Sequence, residues 1–197
     1  WVRWNFEGYE ARVGDSSGGG WEEQRELAST MEDLAAEVGC GRLMWEYSSD
    51  LVRYGTPMAL MLLPHWTDGC IGSMEGLYFE ASTTTPYHFL VQSELSVGPS
   101  RAQRGLPYRG FDINAGVDHL SQLGVRWYSA FSERAVREAR DHPNLVEKAS
   151  SGPWTIFEVE GAEAVVALDV EPAVFADVDH EGWLDPSVEV FQLGSTA

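Results

Sequence analysis

Residues 112–159 read DINAGVDHLSQLGVRWYSAFSERAVREARDHPNLVEKASSGPWTIFEV, and this stretch decides the fold. Asp112 is placed to cap a helix, because its carboxylate can accept the free N–H groups of a first turn. Ile113, Val117, Leu120 and Leu123 then fall on one stripe before Gly124 closes the run. A strand follows at once over residues 125–130. Ser132 caps a second helix that extends to Arg140 and is stopped by Pro143. Residues 145–148 and 154–159 form a hairpin around Ser150, Ser151 and Gly152. Strand, helix and strand with further pairing specify an α/β (α+β) chain: a mixed β-sheet covered by helices, with long loops.

Upstream, Leu27, Met31, Leu34, Ala35 and Val38 recur at helical spacing, which predicts an amphipathic helix over residues 21–38. Glu22, Glu23 and Glu26 suit the positive end of its dipole, and Gly39 can supply a left-handed cap. Residues 42–47 and 58–63 read as strands, the second buried on both faces. Residues 77–81 and 88–92 read as weaker strands separated by a loop over residues 82–86 (STTTP). Residues 97–110 carry Gly98, Pro99, Gly105, Pro107 and Gly110 and make a long connection. Beyond Gly161, residues 164–170 and 173–178 read as further strands.

The ends differ from this body. Residues 1–20 are an aromatic segment running into a Gly/Ser-rich linker, GDSSGGG, at residues 14–20. Residues 21–178 form the mixed α/β domain, and residues 179–197 read as an acidic, loop-like C-terminal extension. The chain opens on Trp1 without the pattern of a signal peptide, and reads as a piece of a longer protein. The longest apolar run, at residues 58–64, is far short of the roughly 20 residues that cross a bilayer, so any membrane anchor is expected outside this piece.

Composition excludes more than it identifies. The 197 residues are 44% hydrophobic and carry 31 acidic against 13 basic side chains, a formal charge of −18. Such a field repels phosphate backbones and anionic lipid headgroups, so nucleic acid is not an expected partner. Two cysteines, Cys40 and Cys70, are too few for a disulfide-dense scaffold or a four-cysteine zinc site. By spacing alone they fit either one bridge or two reduced thiols.

No phosphate loop, GxSxG elbow, HExxH helix, dinucleotide fingerprint or calcium loop occurs. The densest functional chemistry lies between residues 65 and 88: His65, Trp66, Asp68, Glu75, Tyr78, Glu80, Tyr87 and His88. Carboxylates beside aromatic faces suit a carbohydrate, because acidic groups accept hydroxyl hydrogen bonds while a ring packs on the sugar's apolar face. Glu75 and Glu80 could also act as acid and base in glycoside chemistry if they face each other at the right separation. The same residues could instead be core aromatics and satisfied histidines. The five histidines, at 65, 88, 119, 142 and 180, match no metal-ligand spacing, and neither a metal nor a cofactor is expected.

Several stretches together carry a resemblance: GRLMWEY at 41–47, GTPMALMLLPHWTDG at 55–69, EGLYFEASTTTPYHFL at 75–90, LGVRWYSA at 123–130 and GPWTIFEVEGAE at 152–163. The chain resembles the extracytoplasmic region of actinobacterial polytopic membrane proteins labelled as related to 6-pyruvoyl-tetrahydropterin synthase, which are similar to GT-C type lipid-linked glycosyltransferases. The resemblance implies a domain on the extracytoplasmic face of the cell membrane, part of an integral membrane protein. Its implied partners are its own transmembrane region and a cell-envelope glycan or polyprenyl-linked sugar. A GT-C catalytic acid belongs to a loop beside the first membrane helices, so no catalytic residue is carried onto this piece. Nor do the histidines supply the three-histidine zinc site of a pterin synthase. An extracytoplasmic setting is oxidising, and it implies a Cys40–Cys70 disulfide. The expected function is therefore an accessory, carbohydrate-binding domain of a glycosyltransferase-like membrane protein. A protein–protein interaction module and a glycoside hydrolase-like enzyme are the alternatives.

Overall fold

In the computed structural model, which describes residues 20–75, 83–167, 169, 174 and 177–193, the chain begins with helix α1, Gly20–Glu37. Glu22 and Glu23 occupy its first turn, where the dipole favours them, and Gly39 leaves it at a φ of +120° that a side chain would resist. Leu27, Met31 and Leu34 face the core. Strand β1, Gly41–Trp45, leads through 3₁₀ segments Ser49–Tyr54 and Ala59–Leu62 into the single-turn helix α2, Leu63–Trp66, and strand β2, Ile71–Ser73. Helix α3, Thr85–Leu95, and helix α4, Ile113–Gln122, precede strand β3, Trp127–Ala130. Helix α5, Glu133–Arg140, the hairpin β4 (Leu145–Ser151) and β5 (Trp154–Val159), and helix α6, Leu184–Leu193, complete the described chain.

The strands form one sheet in the order β2-β1-β3-β5-β4. The first three run parallel, while β5 is antiparallel to β3 and to β4. Side-chain alternation sends Leu43, Trp45, Trp127, Trp154 and Ile156 to one face, where they pack against α1, the 3₁₀ segments and α2. Met44, Tyr128, Phe157 and Val159 point to the other face, against α3, α4 and α5. The result is a mixed α+β sheet with a helical layer on each side. Among the described residues no helix is long and apolar enough to cross a membrane.

The two caps behave as their chemistry predicts. Asp112 accepts from the N–H groups of Asn114 and Ala115 at 3.1 and 3.2 Å, and Ser132 accepts from Ala135 at 3.2 Å. Other expectations need correction. Residues 58–63 are not a strand: they form a 3₁₀ segment running into α2, with Ala59, Leu60 and Leu63 buried but Leu62 exposed, so their burial does not follow a period of two. Residues 88–92 belong to α3, which is buried nearly all round from Thr85 to Leu95 and so shows no polar face to betray a helical period. Pro86, read as part of a loop, sits in the first turn of α3, where a missing N–H costs nothing.

Residues 164–167 form no strand, and Val165 is 86% exposed. In the proposed strand 173–178, the described residues 174, 177 and 178 are likewise not in a strand. The expected strand at 77–81 and residues 14–19 of the expected linker at 14–20 lie outside the described residues, while Gly20, the linker's last residue, is instead buried at the start of α1. Residues 179–197 are not loop-like throughout, since they contain α6.

Helix α6 docks on α3 and α4 through a polar latch. His119 of α4 is buried, with its ring stacked on Phe191 at 4.1 Å. Its Nε2 lies 2.9 Å from the Phe191 carbonyl, which can only accept, so Nε2 carries a proton. Nδ1 lies 2.6 Å from the Glu94 carboxylate of α3. Burial pulls the His119 pKa down and nearby Arg109 does the same, but the hydrogen bonds to Glu94 and Phe191 outweigh them and the net shift is upward. A folded pKa above the unfolded value, about 6.5, means that the latch contributes fully below that pH and is lost as pH rises through the folded pKa. Hydrogen exchange of α6, corrected for intrinsic rates, is therefore expected to lose protection as pH rises above about 6.5. A profile unchanged across that rise, or one shared by His119→Gln, would contradict the latch.

Candidate functional site

The described residues among those singled out between 65 and 88 fall in separate groups, with Glu75 and His88 together in the interior and His65 and Trp66 at the surface. His65 and Trp66 end α2, and exposed Asp68 follows in a turn with φ of +49°. Glu75 is buried beyond β2, where its Oε1 accepts from Gln92 Nε2 and lies 3.6 Å from His88 Nε2. Ser100 donates to Gln92 Oε1 at 2.6 Å, which continues this interior network. Tyr87 packs on Phe191 at a ring distance of 4.9 Å, beside α6. Tyr78 and Glu80 lie outside the described residues, and with Glu80 goes the carboxylate separation that acid–base chemistry would need. Among the described residues no group of three His, Cys, Asp or Glu is arranged to hold a metal.

The sheet topology directs attention to a second place. The chain leaves β1 over one face and β3 over the other, so their adjacent C-terminal ends form the crevice where open α/β sheets usually bind ligands. Here Glu46 fills it. The residue is 1% exposed. Its Oε2 accepts from the N–H groups of Phe131 and Ser132 at 2.8 and 2.7 Å, and its Oε1 accepts from the Ser132 hydroxyl at 2.7 Å and the Val97 N–H at 3.3 Å. A carboxylate of the chain thus occupies the N-terminus of α5, the position an anionic ligand would otherwise take. Glu46 is a structural plug, and the crevice is closed by it.

An open concavity lies elsewhere, on the outer side of α1. Trp21, Arg25, Ser29 and Glu32 are exposed on one helical face, with Ala28 partly buried between that face and the core. With Gln24 and with Trp66 of α2 they line a cavity of about 280 Å³. Trp21 and Trp66 are 40% and 41% exposed and meet edge to face at 5.9 Å, so each keeps part of an aromatic face toward solvent. His65 packs against Trp66 at 5.0 Å. Indole faces next to a guanidinium, an amide, a hydroxyl and a carboxylate are the groups that recognise a sugar ring: apolar C–H faces stack on the indoles while hydroxyls meet donors and acceptors.

Of the residues expected from sequence, Trp66 lines this cleft and His65 supports it. Trp21, Gln24, Arg25, Ser29 and Glu32 escaped, because helical periodicity draws attention to the buried stripe. A tryptophan on the solvent face was the available signal. Cys40 and Cys70 are bonded to each other, with Cα atoms 4.7 Å apart, at the N-terminal ends of β1 and β2. The chain matches no family model, no curated protein and no solved structure.

Proposed function

We propose that this domain is a glycan-binding module on the extracytoplasmic side of a membrane, serving as an accessory domain of a glycosyltransferase-like protein. The paired, half-exposed Trp21 and Trp66 over a polar-lined cleft carry the reading. The Cys40–Cys70 bridge supports the compartment, since such bonds persist where thiols are not continuously reduced. Among the described residues lining the cleft, Glu32 is the one carboxylate. Hydrolysis of a glycosidic bond ordinarily uses two, so the cleft suits binding better than cleavage.

Calorimetric titration with a panel of neutral and uronate-containing oligosaccharides tests the reading. At least one is expected to bind, and Trp66→Ala is expected to weaken that binding about tenfold, because losing a stacking ring costs on the order of 1 kcal/mol beyond the buried area. The substitution sits at a surface position, so the melting temperature should change little. No binding across the panel, or equal binding by a Trp21→Ala/Trp66→Ala variant, would remove the proposal.

A further inference from the structure

The connection between α3 and α4, residues 97–110, contains Arg101, Arg104 and Arg109 and no acidic residue, in a chain whose formal charge is −18. Acidic neighbours resume only at Glu94 on one side and Asp112 on the other. Elsewhere Arg53 pairs with Glu23, Arg126 with Glu158, Arg134 with Glu138 and Arg140 with Glu147, while Arg25, Arg42 and Arg137 enter no ion pair among the described residues. The three loop arginines are exposed, and among the described residues none of them enters an ion pair. Asp185 and Glu189 of α6 border the groove beside Leu106 and Pro107, but they too make no ion pair with the three.

This loop is held in shape. The Tyr108 hydroxyl accepts from the Gln103 N–H at 3.1 Å and donates to the Gln103 carbonyl at 2.8 Å, which closes a tight turn around Arg104. Ser93 donates to the Arg109 carbonyl at 2.5 Å, Ser100 is tied to Gln92, and Gln192 of α6 donates to the Pro107 carbonyl at 2.9 Å. Leu106 is buried against Phe89, Leu90 and Val188. Arg101 adopts φ of +48°, a left-handed conformation that costs a non-glycine residue energy and is characteristic of functional segments. A loop with a braced backbone that carries three exposed guanidinium groups outside any ion pair among the described residues, at some cost in backbone strain, presents forks of N–H donors suited to phosphate oxygens.

We propose that residues 97–110 form a binding surface for phosphate-bearing anions, with Arg101, Arg104 and Arg109 supplying the donors. The surface is on the helical layer opposite the one that carries the tryptophan cleft, and it does not depend on glycan binding. Two probes separate the source of the phosphate: inorganic pyrophosphate followed by amide chemical shifts, and flotation with vesicles of phosphatidylglycerol and phosphatidylcholine against phosphatidylcholine alone. Pyrophosphate is expected to shift resonances within 97–110. The Arg101→Gln/Arg104→Gln/Arg109→Gln variant should bind at least tenfold more weakly while melting at the same temperature. Selective capture by the anionic vesicles, lost in the variant, identifies a lipid headgroup as the source; pyrophosphate binding without vesicle capture identifies a soluble phosphate ester. If the folded wild-type domain binds neither probe, or the variant binds both as wild type does, the proposal is wrong.

Discussion

Glu46→Ala is expected to destabilise the domain more than any other single truncation considered, by about 4 kcal/mol or more at roughly 1 to 3 kcal/mol for each buried donor left without an acceptor. Three backbone N–H groups, those of Val97, Phe131 and Ser132, lose their acceptor at once, together with the Ser132 hydroxyl that caps α5. These partners come from two separate connections, so the carboxylate joins the end of β1 to the segment after α3 and to the start of α5. Water cannot replace it easily where the side chain is 1% exposed. Typical domains hold only about 5 to 15 kcal/mol in reserve, so the variant should be largely unfolded at moderate urea. Glu46→Gln keeps one acceptor oxygen and should lose distinctly less. Urea unfolding monitored by tryptophan fluorescence gives both values; a Glu46→Ala midpoint corresponding to less than 1 kcal/mol of loss would show that the crevice is not closed by this residue.

How legible this was in the sequence depended on how far each signal reached. The caps Asp112 and Ser132 act on N–H groups two or three residues away, so α4 and α5 could be read locally. Helix α1 announced itself by Leu27, Met31 and Leu34 because one face is solvated and the other is not. Helix α3 gave no such contrast: His88, Gln92, Ser93 and Glu94 are buried with its leucines and phenylalanine, and interior partners satisfy polar groups that would ordinarily mark a surface. Periodicity is blind to a helix without a solvent face. Glu46 was similarly opaque. A glutamate ending a strand looks like an exposed residue until the topology brings Phe131 and Ser132, 85 and 86 positions away, to its oxygens. The cleft failed for the same reason, since Trp21 and Trp66 meet only after α2 folds against α1.

Removing the disulfide by a Cys40→Ser/Cys70→Ser substitution should cost about 3 to 4 kcal/mol, the loop-closure entropy restored to the unfolded chain when a bridge spanning roughly thirty residues is lost. The native state needs little rearrangement without it. Gly41 donates to the Cys70 carbonyl at 3.1 Å, and Gly41 is paired with Ile71 in the parallel ladder, so backbone bonds already hold the two strand starts together. For a chain of this size the loss corresponds to a fall in melting temperature of about 6 to 16 °C at 2 to 4 °C per kcal/mol. The local consequence concerns the edge. Strand β2 has only three residues, and the turn before it is tied by Thr67, whose hydroxyl donates to the Leu63 carbonyl at 2.8 Å and accepts from the Ile71 N–H at 3.0 Å. With the covalent tie gone, β2 and α2 are the elements expected to open first, and Trp66 rides on α2. Amide exchange should therefore accelerate at Ile71 and Gly72 before it does at Trp127 or Tyr128, and the oligosaccharide binding proposed for the tryptophan cleft should weaken in the same variant. Melting curves that superimpose with and without reductant, or two titratable thiols in protein prepared without reductant, would show that the bridge contributes nothing, and would withdraw its support for an extracytoplasmic setting.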